Sequence, residues 1–421
     1  MRLLYNTGLS IYFGGIALAA NFNRKAELFV KGRRGWEKSL REKIDFARSQ
    51  GRSEVVWVHC SSAGEFEQGR TIIDAVKHNN PQVIILLTFF SPSGYELRKN
   101  YPNADLVFYL PLDSPKNAGK FLDIVKPSKA LFIKYEFWYN YLKALKVREI
   151  PTYVVSAIFR EKQVFFRWYG GLFRQMLMYF TKILVQEENS VKLLEGLGLS
   201  NCVVTGDTRF DRVNELKKSS VSVPAAEVFV KESFCLVAGS TWEPDEKIIG
   251  GVMSDMGDIK LIIAPHEIKD EQIAHLKSVL DPLGVVIFSQ IKDRVGEEGV
   301  QEMLRKSRVL IIDTVGLLSS LYRYAHVAYI GGGFGKGIHN ILEAATFGVP
   351  VIFGPNYHRF REANDLIALG GAFQVECAAD LKSLIKGYES DSSLLRNTGI
   401  ICGNYVEENR GATAKVFREI F

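Results

Sequence analysis

The sequence predicts an α/β protein of two Rossmann-like, doubly wound domains facing a cleft, and three observations carry that expectation. Short β-branched or aromatic runs alternate with helix-period segments along the whole chain. The runs are apolar at nearly every position, as strands covered on both faces of a parallel sheet must be. A polar stretch, ELKKSSVSVPAAE (215–227), divides them into two series and reads as a linker, and 421 residues suit two domains of ordinary size.

Taken in order, the chain opens on an uncharged segment, residues 3–20, interrupted by Asn6, Thr7 and Ser10. A spanning helix needs about 20 apolar residues, so the segment is marginal. Arg2 before it and Ala17-Leu18-Ala19 near its end also fit a secretory signal. Against that, eight Lys or Arg follow between Phe22 and Lys43 with only three Glu, a cluster that resists translocation. The reading is a membrane anchor over residues 1–21 followed by a lipid-facing basic segment, with charge at Arg33 and Arg34. A buried first helix with a solvated second one is the alternative.

The first domain is expected over residues 22–214, with strands at 55–60, 83–90, 106–111, 129–135, 152–157, 182–188 and 203–207. Within it, FFRWYGGLFRQMLMYF (165–180) interleaves aromatics with Arg167 and Arg174, which suits a headgroup boundary. Single-stranded nucleic acid would suit it too, but no nucleic-acid motif accompanies it. The second domain is expected over residues 225–421, with strands at 235–240, 261–265, 285–289, 309–314, 326–332 and 349–355. From about Ser390 the pattern is helical and suits a return across the cleft.

A formal charge of +6 is mildly basic, compatible with nucleic acid, anionic lipid or a phosphorylated substrate. The five cysteines are odd in number and widely spaced, reading as reduced core thiols. No CxxC pair, His/Cys cluster or Asp-x-Asp is present, so no metal and no cofactor is expected.

Ligands of doubly wound sheets bind at the carboxyl ends of the strands, where several polar residues fall. The densest signal is GGGFGKGIHNILEAATFGVPVIFGP from Gly331, which follows a strand and opens a helix expected at about Ile338. Glycines admit close backbone approach to a phosphate, and the helix N-terminus supplies amides. Asn340 and Glu343, about one turn apart, would share a face toward a ribose or base. After the first strand, SSAGE sets Glu65 at a strand-to-helix loop, either for the helix dipole or as a general base. Glu136 stands among aromatics in KYEFWYN, an invitation to a raised pKa or an ion pair. Arg209 in GDTRFD can stabilise anionic charge, while GSTWEPDE, APHE (with Pro265 and His266) and DTVGLL (with Gly316) end strands of the second series.

Together SSAGE, TFFSPSGYE (88–96), KYEFWYN, GDTRFD, APHE, DTVGLL and HNILEAATFGVPVIFGP resemble the bacterial 3-deoxy-D-manno-octulosonic acid (Kdo) transferases of lipopolysaccharide assembly, in order over nearly the whole chain. The resemblance implies the GT-B glycosyltransferase fold and inverting, metal-free transfer of Kdo from CMP-Kdo to a lipid A precursor (lipid IVA). The cytoplasmic face of the inner membrane, with its anionic lipid, is the implied location, and nucleic acid is not an expected partner. It further implies Glu65 as general base, Glu136 and Arg209 as transition-state stabilising groups, and CMP contacts at Pro265, His266, Val315, Gly316, Leu317, Asn340, Ile341, Leu342 and Glu343. Three positions depart from the family pattern: Arg209 where Lys is frequent, His266-Glu267 where Arg-His commonly follows the proline, and Leu317 where Glu is common. Two alternatives stand beside it, a two-Rossmann enzyme using a UDP- or GDP-sugar and a non-catalytic ligand sensor at the membrane surface.

Overall fold

In the computed structural model, which describes residues 2–257 and 259–421, fourteen strands form two seven-stranded sheets with every pairing parallel. Met1, the first residue of the expected anchor, lies outside the described residues. The first sheet holds β1 (Val55–Cys60), β2 (Ile84–Phe89), β3 (Leu106–Tyr109), β4 (Lys129–Ile133), β5 (Thr152–Ala157), β6 (Lys182–Val185) and β7 (Cys202–Val204) in the order β3-β2-β1-β4-β5-β6-β7. The second holds β8 (Cys235–Thr241), β9 (Lys260–Pro265), β10 (Val285–Ile287), β11 (Val309–Ile311), β12 (Val327–Ile330), β13 (Val351–Phe353) and β14 (Ala372–Gln374) in the order β10-β11-β9-β8-β12-β13-β14. The strand direction of travel reverses between β1 and β4 and again between β8 and β12. Those are the switch points at which doubly wound sheets take their ligands.

The continuous apolar strands follow from burial on both faces. In β1, Val55 and Trp57 join one core cluster while Val56, Val58 and Cys60 join another. β14 was not expected, because its three residues sit in GGAFQV, where two glycines and no apolar run precede it. The stretch read as a linker is helical through Lys218 in the helix Thr208–Lys218 and again in Pro224–Val230, leaving Ser219–Val223 between them. One compact unit comprises the chain up to Arg212 together with Arg410–Phe421, and the other comprises Val213–Asn409. Within the first, the C-terminal helix Ala412–Ile420 lays Val416 and Ile420 against Phe66, Ile72 and Ile73, and the Asp211 carboxylate accepts the amides of Gly411 (2.7 Å) and Thr413 (2.6 Å).

The N-terminal helix Arg2–Ala19 has no buried residue, and Leu3, Leu4, Ile11 and Leu18 point to solvent. Among the described residues no single helix is long and apolar enough to cross a membrane, and this one is bent by 118° against the next, Arg24–Lys31. It is held by polar side chains: Tyr5 donates to Asp113 (2.7 Å) and Asn140 to Asn6 (2.8 Å). The expectation for Arg33 is corrected. Its guanidinium is 8 % exposed and donates to the carbonyls of Leu110 (2.8 Å), Phe29 (2.9 Å) and Phe90 (2.6 Å), so it ties the basic segment to the sheet, while Arg34 is exposed. The Phe165–Phe180 segment is divided likewise. Phe165, Leu172, Met176, Leu177 and Phe180 are core, Arg174 closes the loop onto the carbonyls of Phe165 and Arg167, and Trp168, 91 % exposed, remains outside with Tyr169 and Met178. Cys377 also departs from expectation, being an exposed helix cap rather than a core thiol.

Candidate active site

In the first unit the polar groups gather where β1 and β4 run side by side. His59, the one imidazole in the apolar run VVWVHC, is wholly buried and aligned with Phe132 of β4. Past β4, Lys134 takes the left-handed conformation (φ 68°), a strained turn of the kind that recurs at functional sites, and Glu136 follows it. The Glu136 Oε2 lies 3.0 Å from His59 Nε2 and accepts from the Trp138 indole at 2.8 Å. Burial opposes the charge of this carboxylate, which is 8 % exposed. Hydrogen bonds from His59, Trp138 and Ser61, with the charge of His59, outweigh it and hold Glu136 below the usual carboxylate range. Of the outcomes open to a carboxylate among aromatics, neither a raised pKa nor surface exposure is found; Glu136 is buried and held by hydrogen bonds.

Glu65 sits in the first turn of the helix Ala63–Asn79, half-buried, with Ser62 as its cap. Ser62 donates its hydroxyl to the Glu65 carboxylate, and its oxygen accepts no amide of the helix. The carboxylate thus complements the helix terminus and still reaches solvent. Arg209 follows β7 at the far side of the sheet, yet is drawn back to the same helix. Its side chain grips Asp207 (2.8 Å from Nε to Oδ2), and Gln68, one turn beyond Glu65, donates to the other Asp207 oxygen (3.4 Å). Thr208 closes the same link, donating to the Gln68 carbonyl at 2.7 Å.

In the second unit β8 carries a register shift at Ser240, a residue with φ 54°, which pushes its carbonyl toward Gly331. A Cβ on Gly331 would lie 2.3 Å from that oxygen, and one on Gly333 would lie 2.5 Å from the amide of Gly354. These two glycines are thus required by backbone packing. The loop is held further by Asp245, a buried carboxylate that accepts the Gly332 amide (2.9 Å), the Trp242 amide (2.9 Å) and the Tyr329 hydroxyl (2.8 Å). The helix expected from Ile338 is a correction: only Leu342–Ala345 is helical, a single turn without the amide array of a long helix. Asn340 and Glu343 are nonetheless joined, Nδ2 donating to Oε1 at 3.0 Å. Ile341 and Leu342 are wholly buried, so their side chains fill core.

Three rings stack at the ends of β8 and β9 and the glycine loop. His266 lies 4.7 Å from Trp242 and 4.3 Å from His339, with ring planes 28° and 23° apart. Trp242 donates its indole hydrogen to His339 Nε2 (3.2 Å). Burial, aided by the charge of His266, pushes His339 down to about 4, so this imidazole is neutral at pH 7. Beside the stack, Pro265 and Thr241 line a cavity of about 250 Å³ with Glu243, Glu246, Glu267 and Glu271. Val315 is 81 % exposed on a turn whose Gly316 has φ 92°, and Leu317 precedes the short helix Leu318–Leu321, which packs Leu318 near Gly239.

Sequence reasoning missed His59, for which a histidine inside a wholly apolar strand was a usable signal. It placed Trp138 beside Glu136, and Trp242, Asp245 and His339 within marked strand-end motifs, without giving them a role, because their contacts form only when three strand ends meet.

Residues 38–212 match the family model described as 3-deoxy-D-manno-octulosonic-acid transferase (kdotransferase). The chain is 26% identical over 335 residues to the 3-deoxy-D-manno-octulosonic acid transferase of Aquifex aeolicus, covering 78% of this chain and 84% of that one. A probable mitochondrial 3-deoxy-D-manno-octulosonic acid transferase of Arabidopsis thaliana is 28% identical over 371 residues, 81% and 78% of the two chains. Among solved structures, UDP-GlcNAc 2-epimerase from Neisseria meningitidis superimposes with a TM-score of 0.62 at 15% identity, covering 87% of this chain and 99% of that one. MurG of Acinetobacter baumannii does so with a TM-score of 0.55 at 11% identity over 87% and 99%. At such identities these two speak for the fold, which is GT-B. Matched by the family model through its first sheet and aligned with named transferases along most of its length, the chain is similar to the 3-deoxy-D-manno-octulosonic acid transferase family of glycosyltransferases.

Proposed function

We propose that the chain moves Kdo from CMP-Kdo to a lipid A precursor, lipid IVA, with inversion and without a metal, at the cytoplasmic face of an inner membrane. The observation that carries this reading is the contrast between two carboxylates of the first unit. Glu136 is buried and engaged by several donors, so it keeps its charge and resists taking a proton. A fixed negative charge of this kind stabilises the positive charge that develops on the sugar as the donor bond breaks. Glu65 has the Ser62 hydroxyl at its carboxylate and is partly open, which suits a base that accepts the proton of the attacking acceptor hydroxyl. Attack from the face opposite CMP then inverts the anomeric carbon in one displacement, and Arg209 balances charge on an anionic group.

The second unit supplies the donor seat in this reading. One phosphate asks for fewer donors than a diphosphate, which suits a loop whose amides are largely engaged by the protein itself, Gly331 with Gly239, Gly332 with Asp245, and Gly335 and Gly337 with Gly332. The acid-lined cavity beside the ring stack repels phosphate but accepts hydrogen bonds from a base amine or ribose hydroxyls. The sequence has no Asp-x-Asp to hold a cation on a diphosphate, in keeping with a metal-free reaction. For the membrane, the exposed apolar helix Arg2–Ala19, Arg34 and the Trp168 tip are the groups a lipid surface would meet.

The test is incubation of the purified protein with lipid IVA, Kdo, CTP and the activating synthetase, followed by mass spectrometry. A Kdo increment seen with wild type and lost in Glu65→Gln supports both reaction and base. With the synthetase active, no increment defeats the reading, and comparing CMP, UDP and GDP for binding identifies the donor class instead.

A further inference from the structure

His59 has no part in the reading above, although it is the most deeply buried polar group at the β1/β4 junction. Its Nδ1 lies 2.9 Å from the Thr88 hydroxyl and 3.1 Å from the Thr88 carbonyl. The Thr88 hydroxyl in turn accepts the Trp57 indole hydrogen at 2.8 Å, and of the two acceptors within reach of its own hydrogen, Nδ1 at 2.9 Å is nearer than the Val58 carbonyl at 3.5 Å. A neutral imidazole accepting there carries its proton on Nε2, facing Glu136; an imidazolium would donate to the Thr88 carbonyl and again to Glu136. Both arrangements leave the Nε2 hydrogen on an ionised carboxylate. The third, with Nε2 bare, would accept the Trp138 indole hydrogen at 3.1 Å, but that hydrogen has the Glu136 Oε2 nearer at 2.8 Å, and the bare lone pair would face the carboxylate at 3.0 Å.

We propose that His59 is a positioning residue for the transfer reaction, its Nε2 hydrogen fixing the Glu136 carboxylate in place and in its ionised form while Thr88 fixes the imidazole. The inference rests on the assignment of Glu136 to the reaction. Trp138 and Ser61 also reach Glu136, but both follow a strand end, whereas His59 lies inside a central strand paired on both sides. It is the rigid member of the set. The titratable groups nearby are Cys60 on β1 and Glu65 and Glu67 on the following helix, whose carboxylates together with Glu136 all act on the Cys60 thiol. Without His59, Glu136 would stand in that negative field with fewer donors.

The experiment uses the full chain with lipid IVA and synthetase-generated CMP-Kdo, comparing His59→Leu, His59→Gln, Thr88→Val and Glu136→Gln. His59→Leu is expected to lower kcat about tenfold or more, with both KM values little changed and the acidic limb of the kcat profile moved to higher pH. His59→Gln, whose amide restores a donor toward Glu136, should regain most of that loss. Thr88→Val, which keeps the imidazole, should give a smaller change in the same direction, and it decides the matter if His59→Leu does not fold. Wild-type kcat and an unmoved acidic limb in His59→Leu, or in Thr88→Val where it must stand in, overturn the inference. Wild-type turnover in Glu136→Gln refutes the underlying assignment instead, whereas an inactive Glu136→Gln beside a fully active His59→Leu refutes only the role of His59.

Discussion

Two carboxylates of one type are separated by their surroundings, and single substitutions should expose the difference. Glu65→Gln is expected to lower kcat by roughly 10²-fold or more, the range of general bases, while CMP binding measured by calorimetry stays as in wild type. The pH behaviour of Glu136 has a definite sign. Its folded pKa is depressed, so its contribution to stability is complete above the ordinary carboxylate value and is lost as pH falls through the lower folded value. His339 runs the same way for a different reason: burial of a neutral ring places its midpoint at about 4, so proton NMR should find its ring signals unmoved from pH 8 to 5.5. A midpoint near 6.5 would contradict the buried stack. The sequence marked Glu65, Glu136 and Arg209 because each follows a strand, but it was silent on their partners. Asp207 and Gln68, which bind Arg209 to the helix of Glu65, come from segments 139 residues apart, a closeness only the fold creates.

At the scale of elements, the strands were legible and the glycine-rich connection was half legible. Thirteen strands announce themselves as apolar runs, whereas β14 and the turn Leu342–Ala345 lack a pattern long enough to distinguish helix from coil. The glycines were rightly read as marks of close approach, but what approaches Gly331 and Gly333 is the protein's own backbone. Gly331→Ala should therefore cost roughly 1–3 kcal/mol of stability, seen as a lower Tm, before any change in nucleotide affinity. The basic segment teaches a related lesson. Charge counting set Arg33 and Arg34 side by side as lipid ligands, while the turn between the helices Arg24–Lys31 and Trp36–Ser49 points one inward onto three carbonyls and the other out. Arg33→Glu should destabilise the fold by about 3 kcal/mol or more, and Arg34→Glu should leave Tm unchanged while weakening sedimentation with anionic vesicles.

At the scale of the molecule, two parallel sheets were evident from the strand pattern, and the helical tail from about Ser390 suited a return to the first of them, but the residues that fasten it there were not marked. They are Asp211, which holds the amides of Gly411 and Thr413, and Val416 and Ile420, which complete the core over Phe66. Deleting residues 410–421 should consequently unfold the first unit and leave CMP binding by the second intact, which limited proteolysis with nucleotide protection would reveal. The same feature bears on how the chain is made. Domains on the ribosome ordinarily finish in the order they are synthesised, but here the first sheet lacks its closing helix until about two hundred further residues have emerged. The later half has all its segments in hand first, and the earlier half must wait with the apolar face of the helix Ala63–Asn79 around Phe66 uncovered, open to chaperones until residues 410–421 are made.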